Sequence, residues 1–186
     1  MDLQQALCTA QGACLFTLVV YAAIRDVKVR RIPTRAVLAG LLAGVVLQAV
    51  RGVPFGPDAV VGGLAQSAAG AVAGGGIFFA LYWLGGFGAG DAKLMAAVGA
   101  LTSWRFVLWA VVYTAVAGAV LALAVLIKHG GWRGALRRAA KSTRSERRAA
   151  VSRADPATTV PYAVAICVGC VWAAGYLIVR DGVWPW

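Results

Sequence analysis

Residues 106–127 form a run of twenty-two residues without a charge. As a helix, such a run covers about 33 Å, enough to cross the roughly 30 Å hydrocarbon core of a bilayer. Weaker apolar stretches fall at 7–24, 35–50, 59–84, 92–101 and 159–179. The 186-residue chain is 61% hydrophobic and only 13% charged, whereas soluble domains carry about 25% charged residues. The pattern predicts an all-α polytopic membrane protein with six transmembrane helices in one membrane-embedded domain, 1–186. A soluble globular fold is excluded.

The first stretch, 7–24, is interrupted only by Thr9, Gln11 and Thr17. It lacks a basic region before it and is followed by positive charge, so it is expected to remain as an anchor. A loop over 25–35 follows, and Thr34 is expected to cap the second helix after Pro33. Residues 52–58 hold two prolines and read as a compact turn. The third span is weak in its first half, with Gln66, Ser67 and several glycines. Gly70, Gly74, Gly75 and Gly76 suit close helix packing. The fourth stretch is short and reaches membrane thickness only if extended to Arg105. Pro156 and Pro161 precede the sixth span, and Trp184 and Trp186 suit an interfacial anchor.

The net charge of +11 raises nucleic acid as a partner, but the basic residues lie between the apolar runs. With the N-terminus outside, the cytoplasmic regions 25–35, 84–93 and 128–158 carry five, one and nine Lys or Arg residues. Only Arg51, Arg105 and Arg180 fall outside. This asymmetry sets the orientation. The basic segment 128–158 is expected to be a cytoplasmic loop facing anionic lipid, and 132–148 suits an interfacial helix with a weak alanine face. Membrane lipid is therefore the expected partner and nucleic acid is not.

Two acids stand out. Asp91 follows four glycines, at 85, 86, 88 and 90, where one span ends and the next begins. Asp26 sits at a comparable boundary, on the same side by the charge argument. A single acid there can simply cap a helix or touch water. Two adjacent carboxylates cannot both ionise cheaply, so one retains a proton while the other activates water for attack on a carbonyl. Asp58, Asp155 and Asp181 read as loop charges, and Glu146 as a balance for its basic neighbours. Cys8, Cys14, Cys167 and Cys170 lie in or beside apolar segments and read as small buried side chains.

Gly88, Gly90, Asp91 and Lys93 resemble the GxGD motif, here GxGDxK, of membrane aspartic peptidases. Together with Asp26, Arg30, Arg31, Ile32 and Pro33, and with Pro161 and Tyr162 in the last span, they resemble the bacterial type IV prepilin peptidase family, including the short form associated with Flp/Tad pili. The resemblance runs from the first span to the sixth. It implies an endopeptidase that removes the short basic leader of a prepilin at the cytoplasmic face of the bacterial inner membrane. Asp26 and Asp91 would be its catalytic dyad, without a metal or other cofactor. Lys93 would support the Asp91 loop or the substrate, or anchor at the lipid interface. Arg30 and Arg31 would orient the first catalytic loop or bind lipid phosphate, and Tyr162 would pack or hydrogen-bond nearby. Thr34 stands where the family often has Asn. The chain lacks the cytoplasmic insertion and four-cysteine arrangement of long members, so cleavage without N-methylation is implied.

Three other functions fit parts of the pattern. Another GxGD intramembrane peptidase, such as a preflagellin-type enzyme, shares the acid motif. A transporter or channel also places acids within membranes. A pilus assembly protein without catalysis would keep the architecture. No oligomeric state follows from the glycines.

Overall fold

The computed structural model describes residues 3–29, 32–84, 88–128 and 162–181. They form six helices: α1 (Leu3–Val29), α2 (Thr34–Gly52), α3 (Pro57–Trp83), α4 (Ala89–Leu101), α5 (Trp104–Lys128) and α6 (Tyr162–Asp181). No strand occurs among the described residues. All helices but α4 are long and apolar enough to cross a membrane. The expectations for Arg30, Arg31, Gly85 and Gly86 fall outside the described residues. So do those for most of the basic segment 128–158, for Pro161 and for the tryptophan-rich tail.

The five long helices pack in a closed order, α1 on α2, α2 on α3, α3 on α5, α5 on α6 and α6 back on α1. Helix α4 lies inside this ring and touches all five. Nine of its thirteen residues are buried. Leu94, Met95 and Val98 of α4 meet Leu15 and Val19 of α1, Phe106 of α5 and Ile166 of α6 in one apolar core. Outward positions such as Val46, Val72, Val116, Val120 and Trp172 remain exposed. A ring with apolar outer faces around a packed interior suits lipid surroundings.

Several element boundaries differ from the sequence expectation. Helix α1 continues through Asp26 to Val29, so Asp26 belongs to a helix and not to a loop. The chain meets no strong helix breaker until Pro33. Pro33, not Thr34, caps α2: it is extended, with ψ 119°, and its carbonyl accepts the Ala36 and Val37 amides. Thr34 is the first helical residue and not the cap. Asp58 sits in the first turn of α3, after Pro57, where a negative charge suits the helix dipole. Between α2 and α3 the chain makes a short 3₁₀ turn, Val53–Phe55, and reverses at Gly56 with φ 100°.

Helix α4 does not extend to Arg105. Thr102 leaves the helix with φ −120° and ψ −134°. Ser103 then starts α5, its side-chain oxygen accepting the Phe106 amide at 3.3 Å. Thirteen residues reach only about 20 Å, so α4 is a short helix enclosed by long ones.

Close backbone approach makes this enclosure possible. A Cβ on Gly44 would collide with the Ala100 and Leu101 backbone, one on Gly70 with Gly99, and one on Gly74 with Met95. Gly99 in turn lies against the Gly70 carbonyl. Small residues permit such contacts between helices in lipid. Gly76 faces open space. Gly99→Val is expected to lower the thermal midpoint in detergent sharply or prevent folding, because overpacking costs about 1–3 kcal/mol even where side chains can move. Gly76→Ala should leave the midpoint unchanged or raise it, since Gly within a helix costs roughly 0.5–1 kcal/mol relative to Ala. Thermal melts of the two variants check the assignment.

Candidate active site

The two acids come from helices distant in sequence. Asp26 is near the end of α1, and Asp91 is the third residue of α4. Both line one cavity of about 330 Å³ with Ile32, Thr34, Val37, Gly88, Gly90 and Lys93. Asp26 is half-buried, Asp91 is buried, and each lies within electrostatic reach of the other.

Each carboxylate is held by a helix N-terminus. Asp26 Oδ2 accepts the Ala163 amide of α6 at 3.2 Å. Asp91 Oδ2 accepts the Gly88 amide at 3.2 Å, while its own amide donates to the Gly88 carbonyl at 3.1 Å. This is the carboxylate half of a capping box, with glycine at the cap position. First-turn amides have no partner within their own helix and carry partial positive charge. Two helix starts therefore converge on the pair and favour negative charge where two acids would otherwise repel.

The local chain explains the glycines. A Cβ on Gly88 would stand 3.2 Å from Asp91 Oδ2, closer than an ordinary contact. A Cβ on Gly90 would meet Ile32 at 3.5 Å, an ordinary contact. Gly88 thus leaves room for the carboxylate, and Gly90 is the more replaceable of the two.

The supporting residues divide. Lys93 is exposed at the cavity wall, on the same helix as Asp91. Pro33 caps α2 between two residues that line the cavity. Tyr162 begins α6, its half-buried ring packed against Gly118 of α5 and its hydroxyl within reach of the Asp91 charge. Arg30 and Arg31 are outside the described residues. Cys170 is buried and Cys8 and Cys167 half-buried, but Cys14 is exposed on α1, so the expectation of buried cysteines does not hold there. Ile32, Thr34 and Val37 were not singled out as site residues by sequence, nor was the Ala163 amide. Pro161 before Tyr162 was the available signal for that amide, since proline marks helix starts and the amides beyond it need partners.

Residues 13–123 match the type IV leader peptidase family. The chain belongs to this family. The match contains both aspartates and spans most of α1 through most of α5. It supports a leader-peptidase type of function in a multi-pass membrane protein. Comparison with curated proteins and with solved structures gives no match. Helix α6 lies beyond the matched residues, so its contact with Asp26 rests on the geometry of this chain alone.

Gly88→Ala is expected to reduce peptidase activity about tenfold or more, because it displaces the Asp91 carboxylate and shifts of about 1 Å in a site can cost about 10² in rate. Gly90→Ala should stay within roughly threefold by the same scale. Steady-state cleavage by the two purified variants tests the difference.

Proposed function

We propose that this leader peptidase removes the short basic leader of type IV prepilins, of the Flp type, by an aspartic mechanism using Asp26 and Asp91. The reading is carried by one observation: two carboxylates from α1 and α4 line the same cavity. In the proposed reaction one carboxylate takes a proton from water as the oxygen attacks the scissile carbonyl. The other carboxyl, protonated at the start, donates toward the carbonyl oxygen. Collapse of the tetrahedral intermediate breaks the C–N bond and passes a proton to the leaving amine. The products are the leader with a new carboxylate and the pilin with a new amine.

The helix starts at Gly88 and Ala163 would steady the ionised member of the pair, and the cavity would admit an extended peptide from the membrane boundary. Lys93 would support the Asp91 turn or the substrate backbone, or meet a lipid headgroup. The charge asymmetry between the two sides supports an outside N-terminus and a site near the cytoplasmic face of the inner membrane. The short α1–α2 connection supports cleavage without N-methylation.

Purified protein in lipid is incubated with Flp-type prepilin, and leader loss is followed by mass. Asp26→Asn and Asp91→Asn should each lower cleavage by about 10²–10⁴-fold with the fold retained. Cleavage surviving in both variants would sink the dyad. Ion or solute flux by the unaltered protein, without any cleavage, would favour transport instead.

A further inference from the structure

The end of α4 opposite the acids holds a second polar cluster. Five successive carbonyls there each accept a hydrogen bond. Val98 O accepts the Thr102 hydroxyl at 2.7 Å, and Gly99 O accepts the Thr102 amide at 3.3 Å. Ala100 O accepts the Ser67 hydroxyl of α3 at 3.0 Å. Leu101 O accepts the Gln11 amide of α1 at 2.5 Å, and Thr102 O accepts the Gln48 amide of α2 at 2.6 Å. Gln11, Gln48, Ser67 and Thr102 are all buried. Arg51 Nη1 donates to Gln11 Oε1 at 2.9 Å, which turns the Gln11 amide nitrogen toward Leu101.

We propose that Gln11, Gln48 and Ser67 are positioning residues that set the register of α4 and so place Asp91 against Asp26. The proposal rests on the reading of these acids as the reacting pair. Along its sides α4 meets the glycines of α2 and α3 and the apolar side chains of Leu15, Val19, Phe106 and Ile166, and apolar contact is non-directional. Directed hydrogen bonds at its end resist sliding and turning. Asp91 lies ten residues from Leu101, about 15 Å along a stiff helix, so a shift at one end reaches the other. Helix α1 carries both Gln11 and Asp26. Fifteen residues separate them, a little over four turns, so they share a face. The Gln11 bond therefore ties the helix bearing one acid to the helix bearing the other.

Gln11→Met and Gln48→Met remove the donors at nearly constant volume. Each is expected to lower kcat for leader cleavage by about 10- to 100-fold, with KM changed less than about twofold and the limbs of the pH profile displaced, because the spacing of the acids changes. Ser67→Ala, a smaller change, should act in the same direction and keeps the test open if a glutamine variant does not fold. Gln66→Met, exposed on α3 beside Ser67, is the control and should behave as the unaltered protein. Spin labels at Val27→Cys and Lys93→Cys, with the native cysteines replaced, read the α1–α4 register without substrate. The Gln11→Met change should shift or broaden that distance. Variants that only melt earlier, with unchanged kcat, pH profile and label distance, would overturn the positioning role. An unaltered protein that cleaves no prepilin would overturn the peptidase reading instead, and the label distance would still decide the register.

Discussion

A helix that ends inside a protein leaves its last carbonyls without partners, and each unpaired polar group costs several kcal/mol away from water. Helix α4 ends this way, and its arrangement depends on donors supplied by three neighbours. Gln11, Gln48 and Ser67 come one each from α1, α2 and α3. A ring of long apolar helices could enclose a short one in many axial positions. The donors select one, because the Ala100, Leu101 and Thr102 carbonyls find partners on three helices together. The glycine contacts then become consistent with it: Gly44, Gly70 and Gly74 stand where the α4 backbone passes closest.

The opposite end of α4 meets the converse demand. Its free amides favour negative charge, and Asp91 sits in that first turn. Asp26 borrows the same property from α6 through Ala163. Two helix starts offset part of the cost of placing two acids in one cavity. One short helix thus has its carbonyl end neutralised by side-chain donors and its amide end by a carboxylate. The polarity that requires a buried socket at one end supplies an electropositive setting for an acid at the other.

Much of this was legible in the sequence. Uncharged runs placed the long helices, and charge between them placed Asp26 and Asp91 on one side. The glycines before Asp91 and the basic segment ending at Pro33 carried the family resemblance. The socket was not legible. Gln11 and Ser67 read as weak points in otherwise apolar spans, and no local pattern distinguishes Gln48. A polar side chain in a span signals a partner, but its partner here is a backbone carbonyl over thirty residues away, which no local pattern names. The continuation of α1 through Asp26 was missed for a related reason. Charged residues read as loop, yet at the rim of a bundle a helix can carry them against another helix's amides.

The interior position of α4 also bears on which changes a related chain could accept. The distance from Asp91 to the socket is a number of residues, not an adjustable loop. Inserting one residue in α4 would advance the acid by about 1.5 Å and rotate it by about 100°. It would leave the cavity wall altogether unless the socket moved too. The connections that flank α4 share this demand, because Gly88 holds Asp91 Oδ2 at one end and Thr102 closes the carbonyls at the other; the turn between α2 and α3 belongs to neither end. The acid and the socket are therefore a single geometric unit, carried by thirteen residues and held at both ends by the polarity of one helix.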